Sequence, residues 1–189
     1  MFLRTNFNLS IDQLIRGCID NNRTCQKEFY LLVADRLMNI SRRYCSNIHD
    51  AKDVLQNSFI KIFKNLNQFD INKGNLDSWL TKIVINEALQ LMRKEKTQLI
   101  KEKTSSEKYQ VSNAPEILKR LQAEDLMKIL SRLPEGYRIV FNMYVVEGYS
   151  HKEIGSLLEI TESSSRSQLT RAKKLIQKLL IEQKKAEIC

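Results

Sequence analysis

Residues Leu133–Leu180 read LPEGYRIVFNMYVVEGYSHKEIGSLLEITESSSRSQLTRAKKLIQKLL. Apolar-periodic segments in this run are separated by a glycine and a short polar break, and the last segment is basic. That is the pattern of a helix-turn-helix, which presents one helix to a DNA major groove. In the last segment Thr161 is placed to take an orphan amide of the first turn. Leu169, Ala172, Ile176 and Leu179 recur at helical spacing and mark the buried side. Ser163, Arg166, Ser167, Thr170, Arg171 and Lys174 fall opposite, with hydroxyls near the N-terminus and cations further along. Hydroxyls and Arg suit base edges and phosphates, and Arg can pair bidentately with guanine. A merely solvated helix face has a similar composition, so the segments in front of it decide.

Ser150 and Glu153 form a capping box, which starts a helix after Tyr149. Ile154, Leu157 and Leu158 give that helix its apolar stripe, and only Glu159 and Ile160 separate it from Thr161. A helix of about two turns, a tight break and a longer basic helix fit the motif. Upstream, Leu126, Ile129, Leu130 and Leu133 precede Pro134, a residue suited to a first helical turn. Val140, Phe141, Tyr144 and Val145 read as an inward stripe, and Gly148 as a C-terminal cap. These helices suffice for one small core.

The same run resembles the C-terminal promoter-binding domain of bacterial sigma factors, most closely the small extracytoplasmic-function (ECF) type of the sigma-70 family. The resemblance implies that Arg166, Ser167, Thr170 and Arg171 read the upstream (minus-thirty-five) promoter element, with His151 and Lys173 near phosphates. Glu159 stands where a turn glycine is usual, Ser165 where a small aliphatic residue is usual, and Gln168 where Arg is common. A left-handed residue at 159 would favour glycine.

Asp50–Leu66, DAKDVLQNSFIKIFKNL, gives a second helix pattern, with Asp50 as its expected N-cap. Leu55, Phe59, Ile62 and Leu66 share one face; Asp53, Gln56, Asn57 and Ile60 share the other. An apolar Ile60 among polar neighbours suggests a contact surface. A similar stretch in sigma factors docks on the clamp helices of the largest RNA polymerase subunit, and Asp53, Gln56 and Asn57 fall at the docking positions. Asn57 replaces the usual Glu there. After a loop at 69–75, LDSWLTKIVINEALQLMRKEK reads as a helix capped by Asp77, with Leu80, Ile83, Val84 and Leu91 as its main buried stripe. Trp79, Asn86, Gln90 and Arg93 lie along an adjacent strip. Ring, amide and cation suit unpaired bases, through stacking, base-edge hydrogen bonds and phosphate contact; a buried Trp beside surface amides is the plainer alternative. The segment is similar to the sigma stretch that captures the melted (minus-ten) strand. That likeness implies that the loop at 70–77 holds a flipped base, with Asn86 as the leading contact.

Ser10 and Gln13 form another capping box. The Asn21-Asn22 pair breaks the first helix. A long helix follows from about Thr24 to Cys45, patterned by Phe29, Leu32, Val33, Arg36, Leu37 and Ile40, with Arg42 and Arg43 exposed. From Lys94 to about Ala114 the chain turns polar and charge-rich with little periodicity, which reads as a linker. The expected fold class is therefore all-α: a sigma region 2-like bundle over 10–94, a flexible linker over 95–114 and a region 4-like helix-turn-helix domain over 115–184. No segment reads as a separate middle domain, as the ECF type implies.

Composition agrees. The chain has 189 residues, a formal net charge of +9 and 42% hydrophobic content. A basic balance favours a polyanionic partner, and this hydrophobic content supports real cores. No apolar run reaches the roughly 20 residues of a membrane span. The N-terminus has no signal-peptide hydrophobic region, so the expectation is a soluble, cytoplasmic chain without membrane insertion. Cys18, Cys25, Cys45 and Cys189 form no CxxC pair. Cys18 and Cys25, a heptad apart, read as core thiols, with a redox role the alternative. No phosphate loop, dinucleotide fingerprint, metal cluster or catalytic elbow is legible, so no cofactor and no enzyme activity are expected. The partners implied are core RNA polymerase and promoter DNA. An anti-sigma factor is a further candidate, docking on exposed helices of both domains. The rivals are a free-standing helix-turn-helix regulator binding operators, and a small helical enzyme or RNA-binding protein using the basic surface.

Overall fold

The computed structural model describes residues 9–70, 74–102 and 129–188, and these are helical with no strand. The chain divides into two compact units, Met1–Lys101 and Glu102–Cys189.

In the first unit α1 (Ile11–Ile19) starts at the expected capping box. Gln13 Oε1 accepts from the Ser10 amide at 2.8 Å and Ser10 Oγ accepts from the Gln13 amide at 3.3 Å. Leu14, Ile15 and Cys18 form its buried face. Asn21 adopts a left-handed conformation (φ 59°), which Asn tolerates better than most residues. Asn22 then caps α2 (Arg23–Tyr44), accepting from the amides of Thr24 and Cys25 at 3.0 and 3.2 Å. The corner is tight. A Cβ on Gly17 would lie 2.3 Å from Cys25 Sγ, so only glycine fits there without rearrangement. Phe29, Val33, Leu37, Ile40 and Tyr44 make one buried stripe along α2.

The next helix, α3 (Ile48–Asn65), begins earlier than the sequence suggests. Its cap is Asn47, which accepts from the amides of His49 and Asp50 at 2.9 Å each. Asp50 instead sits in the first turn, where its carboxylate suits the helix dipole and accepts from Asn47 Nδ2 at 2.6 Å. Leu55, Phe59 and Ile62 are buried as expected, joined by Ala51, Val54 and Ser58. Tyr30 packs on Phe59 with ring centroids 4.5 Å apart, and Phe63 lies 6.0 Å from both Phe29 and Phe59. These rings join α2 to α3. A short 3-10 turn, Leu66–Gln68, buries Leu66 and ends the hairpin.

The cap of α4 (Leu76–Glu102) also differs from expectation. Asn75 Oδ1 accepts from the Asp77 amide at 2.7 Å, so Asn75 takes the role assigned to Asp77. Asp77 is thereby left to pair with Arg36 of α2 at 2.9 Å. The buried stripe shifts as well: Leu80 and Val84 are fully enclosed, but Ile83 and Leu91 are only half-buried, and Ile85, Ala88 and Leu89 complete the core face. The helix continues to Glu102, through the first residues of the expected linker. The remainder of that linker, the expected domain start at 115 and Leu126 lie outside the described residues.

In the second unit Ile129, Leu130 and Leu133 are buried ahead of α5 (Glu135–Phe141), and Pro134 stands at its N-cap rather than within its first turn. A π turn, Asn142–Val146, follows, closed by the Glu147 amide donating to the Asn142 carbonyl at 3.0 Å. It corrects the expected stripe. Val140 and Phe141 are buried, but the wider turn rotates Asn142 and Met143 inward and leaves Tyr144 and Val145 exposed. Gly148, at φ 78°, ends the segment in a left-handed conformation. Two helices complete the unit, α6 (His151–Leu158) and α7 (Glu162–Ile188). Ile154 of α6 and Leu169, Ala172, Ile176 and Leu179 of α7 are all buried.

Candidate nucleic-acid interface

The helix-turn-helix is built by local rules. Ser150 Oγ accepts from the Glu153 amide at 3.2 Å, and Glu153 Oε2 accepts from the Ser150 amide at 2.8 Å. At the other end of α6 the Glu159 and Ile160 amides both donate to the Gly155 carbonyl. Glu159 is left-handed (φ 57°, ψ 40°), so the position does adopt the conformation that favours glycine. Thr161 Oγ1 then accepts from the Ser164 amide at 3.0 Å and starts α7. A Cβ on Gly155 would lie 2.8 Å from the Ile160 carbonyl oxygen. Contact at this distance explains why the turn closes over a bare backbone.

This turn leaves one side of α7 outward. Ser163, Arg166, Ser167, Thr170, Arg171 and Lys173 are exposed, and Lys174 is half-buried. Arg166 is paired with Glu162 one turn earlier. Thr170 Oγ1 donates to the Arg166 carbonyl at 3.0 Å, so toward a partner it offers lone pairs.

His151, expected near phosphates, lies almost wholly beneath the surface. Its residue is 8% exposed, its Nδ1 lies 2.9 Å from Ser165 Oγ, and its ring stacks on Tyr144 at 4.3 Å. Ser165 is itself fully buried. The unusual serine at 165 and the histidine at 151 are therefore partners, joining α6 to α7. Burial, then the nearby Arg166 and Lys173, hold the His151 pKa below its usual value, with Glu162 acting in the opposite sense.

In the first unit Asp53, Gln56, Asn57 and Ile60 all face outward from α3, with Ile60 59% exposed. On α4, Asn86, Gln90 and Arg93 are exposed and Trp79 is half-buried, its ring 5.4 Å from Phe69. Trp79 thus flanks the start of the 70–77 loop, of which residues 71–73 lie outside the described set. Lys61 and Glu87 carry no signal in the local sequence pattern. Lys61 Nζ of α3 forms an ion pair with Glu87 of α4, which is 8% exposed, and donates to Gln90 Oε1 at 3.2 Å. These pairs are separated by 26 and 29 residues, beyond the reach of helical periodicity. Arg42 is exposed as expected, but Arg43 is half-buried. Cys18 is buried, and burial followed by the neighbouring Cys25 pushes its thiol up to about 11. It stays protonated at neutral pH, which favours the core-thiol alternative.

A helical bundle with an aromatic, amide and cation strip and a second helical unit carrying a helix-turn-helix define a two-module protein of the nucleic-acid-binding class. Residues 29–98 match the Sigma-70 region 2 family model and residues 123–176 match Sigma-70, region 4. The chain is 28% identical over 152 residues to the ECF RNA polymerase sigma factor SigE of Mycolicibacterium smegmatis, covering 78% of this chain and 58% of that protein. It is 26% identical over 157 residues to SigW of Bacillus subtilis, also an ECF RNA polymerase sigma factor, covering 77% and 83% respectively. The fold is similar to that of the sigma factor RpoE crystallised with the anti-sigma factor NepR from Bartonella quintana, with a TM-score of 0.53 and 24% identity over 82% of this chain and 95% of that one. The chain belongs to the sigma-70 family, among its ECF sigma factors.

Among the described residues, no helix is long and apolar enough to cross a membrane.

Proposed function

We propose that this chain gives core RNA polymerase its choice of promoter, acting in the cytoplasm by binding and not by catalysis. Its two modules divide the work. Asp53, Gln56, Asn57 and Ile60 on α3 dock on the polymerase clamp. Trp79, Asn86, Gln90 and Arg93 on α4 hold the melted strand. Ser163, Arg166, Ser167, Thr170, Arg171, Lys173 and Lys174 on α7 grip the upstream duplex. His151 supports that grip from beneath, through Ser165. The domain boundaries that serve this division are a first module ending near residue 94 and a second beginning near 115, and an anti-sigma factor covering the exposed helices is a compatible regulator.

The observation that carries the proposal is the pairing of region 2 and region 4 matches on one chain, 29–98 and 123–176. A free-standing operator-binding regulator would leave the first of these without a role. Two modest sites on one chain also gain overall affinity through effective concentration. The test is transcription in vitro with purified bacterial core polymerase and a randomised promoter pool. Start sites should cluster at sequences sharing an upstream and a downstream element. Uniform initiation across the pool, unchanged by the added chain, overturns the proposal.

A further inference from the structure

Lys61 joins the two functional helices of the first unit. It projects from α3 one turn beyond Asn57 and ends against Glu87 and Gln90 of α4. Its backbone is fixed as well, since Asn65 Nδ2 donates to the Lys61 carbonyl at 2.8 Å. An ammonium has three donors and no acceptor, so the atom of the Gln90 amide facing it must be the oxygen. Gln90 therefore turns its N–H groups away from Lys61. A glutamine free to rotate pairs bidentately with adenine, using its oxygen for the amino group and its nitrogen for N7. With the oxygen engaged by Lys61, that pairing is disfavoured, and the amide offers donors to thymine O4 or guanine O6, where cytosine and adenine carry an amino group instead.

We infer that Lys61 is a specificity-positioning residue for strand recognition. It orients Gln90 as a donor and so biases one position of the melted strand toward a base with a carbonyl edge. This rests on the proposal that α4 holds that strand. Glu87 anchors the cation: its carboxylate is almost enclosed, whereas the Lys61 side chain is 44% exposed.

The test uses the full chain assembled with core polymerase and a set of fork-junction DNAs with every base at every single-stranded position. Q90A should flatten the preference at one position. The double variant K61M/E87Q removes the cation without stranding a carboxylate, and it should reduce the thymine or guanine preference at that same position by roughly two- to tenfold, the range of one net hydrogen bond. K61R, which keeps the donor, should retain it. If K61M/E87Q does not assemble, Q90E reports on the same question. It keeps an acceptor for Lys61 but has no N–H, so the preference should swing toward adenine or cytosine, whose amino groups stand where guanine and thymine carry oxygen. A wild-type base ranking in K61M/E87Q or in Q90E overturns the inference. A Q90A protein with no altered position overturns the inference too, because Gln90 then reads no base; only if Asn86→Ala also leaves fork-junction binding unchanged does the placement of the strand on α4 fail.

Discussion

The backbone of Gly155 passes so close to Ile160 that a single methyl group would stand 2.8 Å from the Ile160 carbonyl oxygen. The same glycine accepts the Glu159 and Ile160 amides that close the turn. Gly155→Ala must push the α6–α7 turn open or strain it. Helix propensity favours alanine by about 1 kcal/mol, but overpacking of this kind costs about 1–3 kcal/mol, and backbone is the unyielding partner here. We expect a net loss of about 1–2 kcal/mol, read by urea unfolding. A variant as stable as the wild type would mean that the two helices separate without cost.

Glu159 presents the opposite case. It is left-handed with a side chain, a conformation costing about 1–2 kcal/mol for an ordinary residue. Glycine removes that cost but adds unfolded-state entropy worth about 0.4–1 kcal/mol. Glu159→Gly should therefore stabilise the chain by about 0.5–1 kcal/mol. A fall in the unfolding midpoint would show that the carboxylate contributes more than the backbone loses.

His151 should make the second unit sensitive to acid. Its folded pKa is lowered, so the unfolded chain takes up the proton more readily. The stability linked to neutral His151 is then fully present above the unfolded value of about 6.5 and is lost as pH falls through the folded value. His151→Asn keeps a polar group facing Ser165 but does not titrate. Unfolding free energies of the two proteins should converge or cross as pH is lowered from 7.5 to 5. Parallel curves would mean that protonation is no harder in the fold than out of it.

Most of this architecture was legible because helices advertise themselves locally. The boxes at Ser10 and Ser150, the break at Asn21 and the stripe Leu169–Leu179 all follow from neighbours within one or two turns. The misplaced features have local causes too. Asn47 and Asn75 out-competed Asp50 and Asp77 as caps, because either residue type can cap and geometry selects the one at the helix boundary. The π turn at 142–146 inserts an extra residue per turn, so a 3.6-residue period places Tyr144 and Val145 on the wrong side. Partnerships across helices were not legible at all. Nothing in the local pattern brings Lys61 to Glu87, Arg36 to Asp77 or His151 to Ser165. The polar residues read as outward on α3, α4 and α7 are exposed except Lys174, which is half-buried like Trp79, because polar residues at helical spacing need no partner to declare their side.

If the outward face of α7 grips DNA as proposed, it carries an internal competitor for the phosphates. Glu162 pairs with Arg166 across one turn while both side chains remain largely exposed, 47% and 64%. An exposed pair of this kind adds little to stability, but its carboxylate also repels phosphate from the N-terminal end of the face. Glu162→Gln should release Arg166 and tighten binding to duplex DNA carrying the upstream element several-fold at low salt, with little change in unfolding midpoint. Arg166→Ala and Arg171→Ala should weaken that binding while sparing association with core polymerase. Where the lost cation met a phosphate, the log–log dependence of affinity on salt should become shallower by about 0.9. Where it met a base edge, the slope should hold and discrimination among upstream sequences should fall instead. Measuring both slope and sequence preference for each variant therefore assigns each arginine to backbone or base. If either arginine variant instead lost its hold on core polymerase, the assignment of α7 to DNA would be wrong.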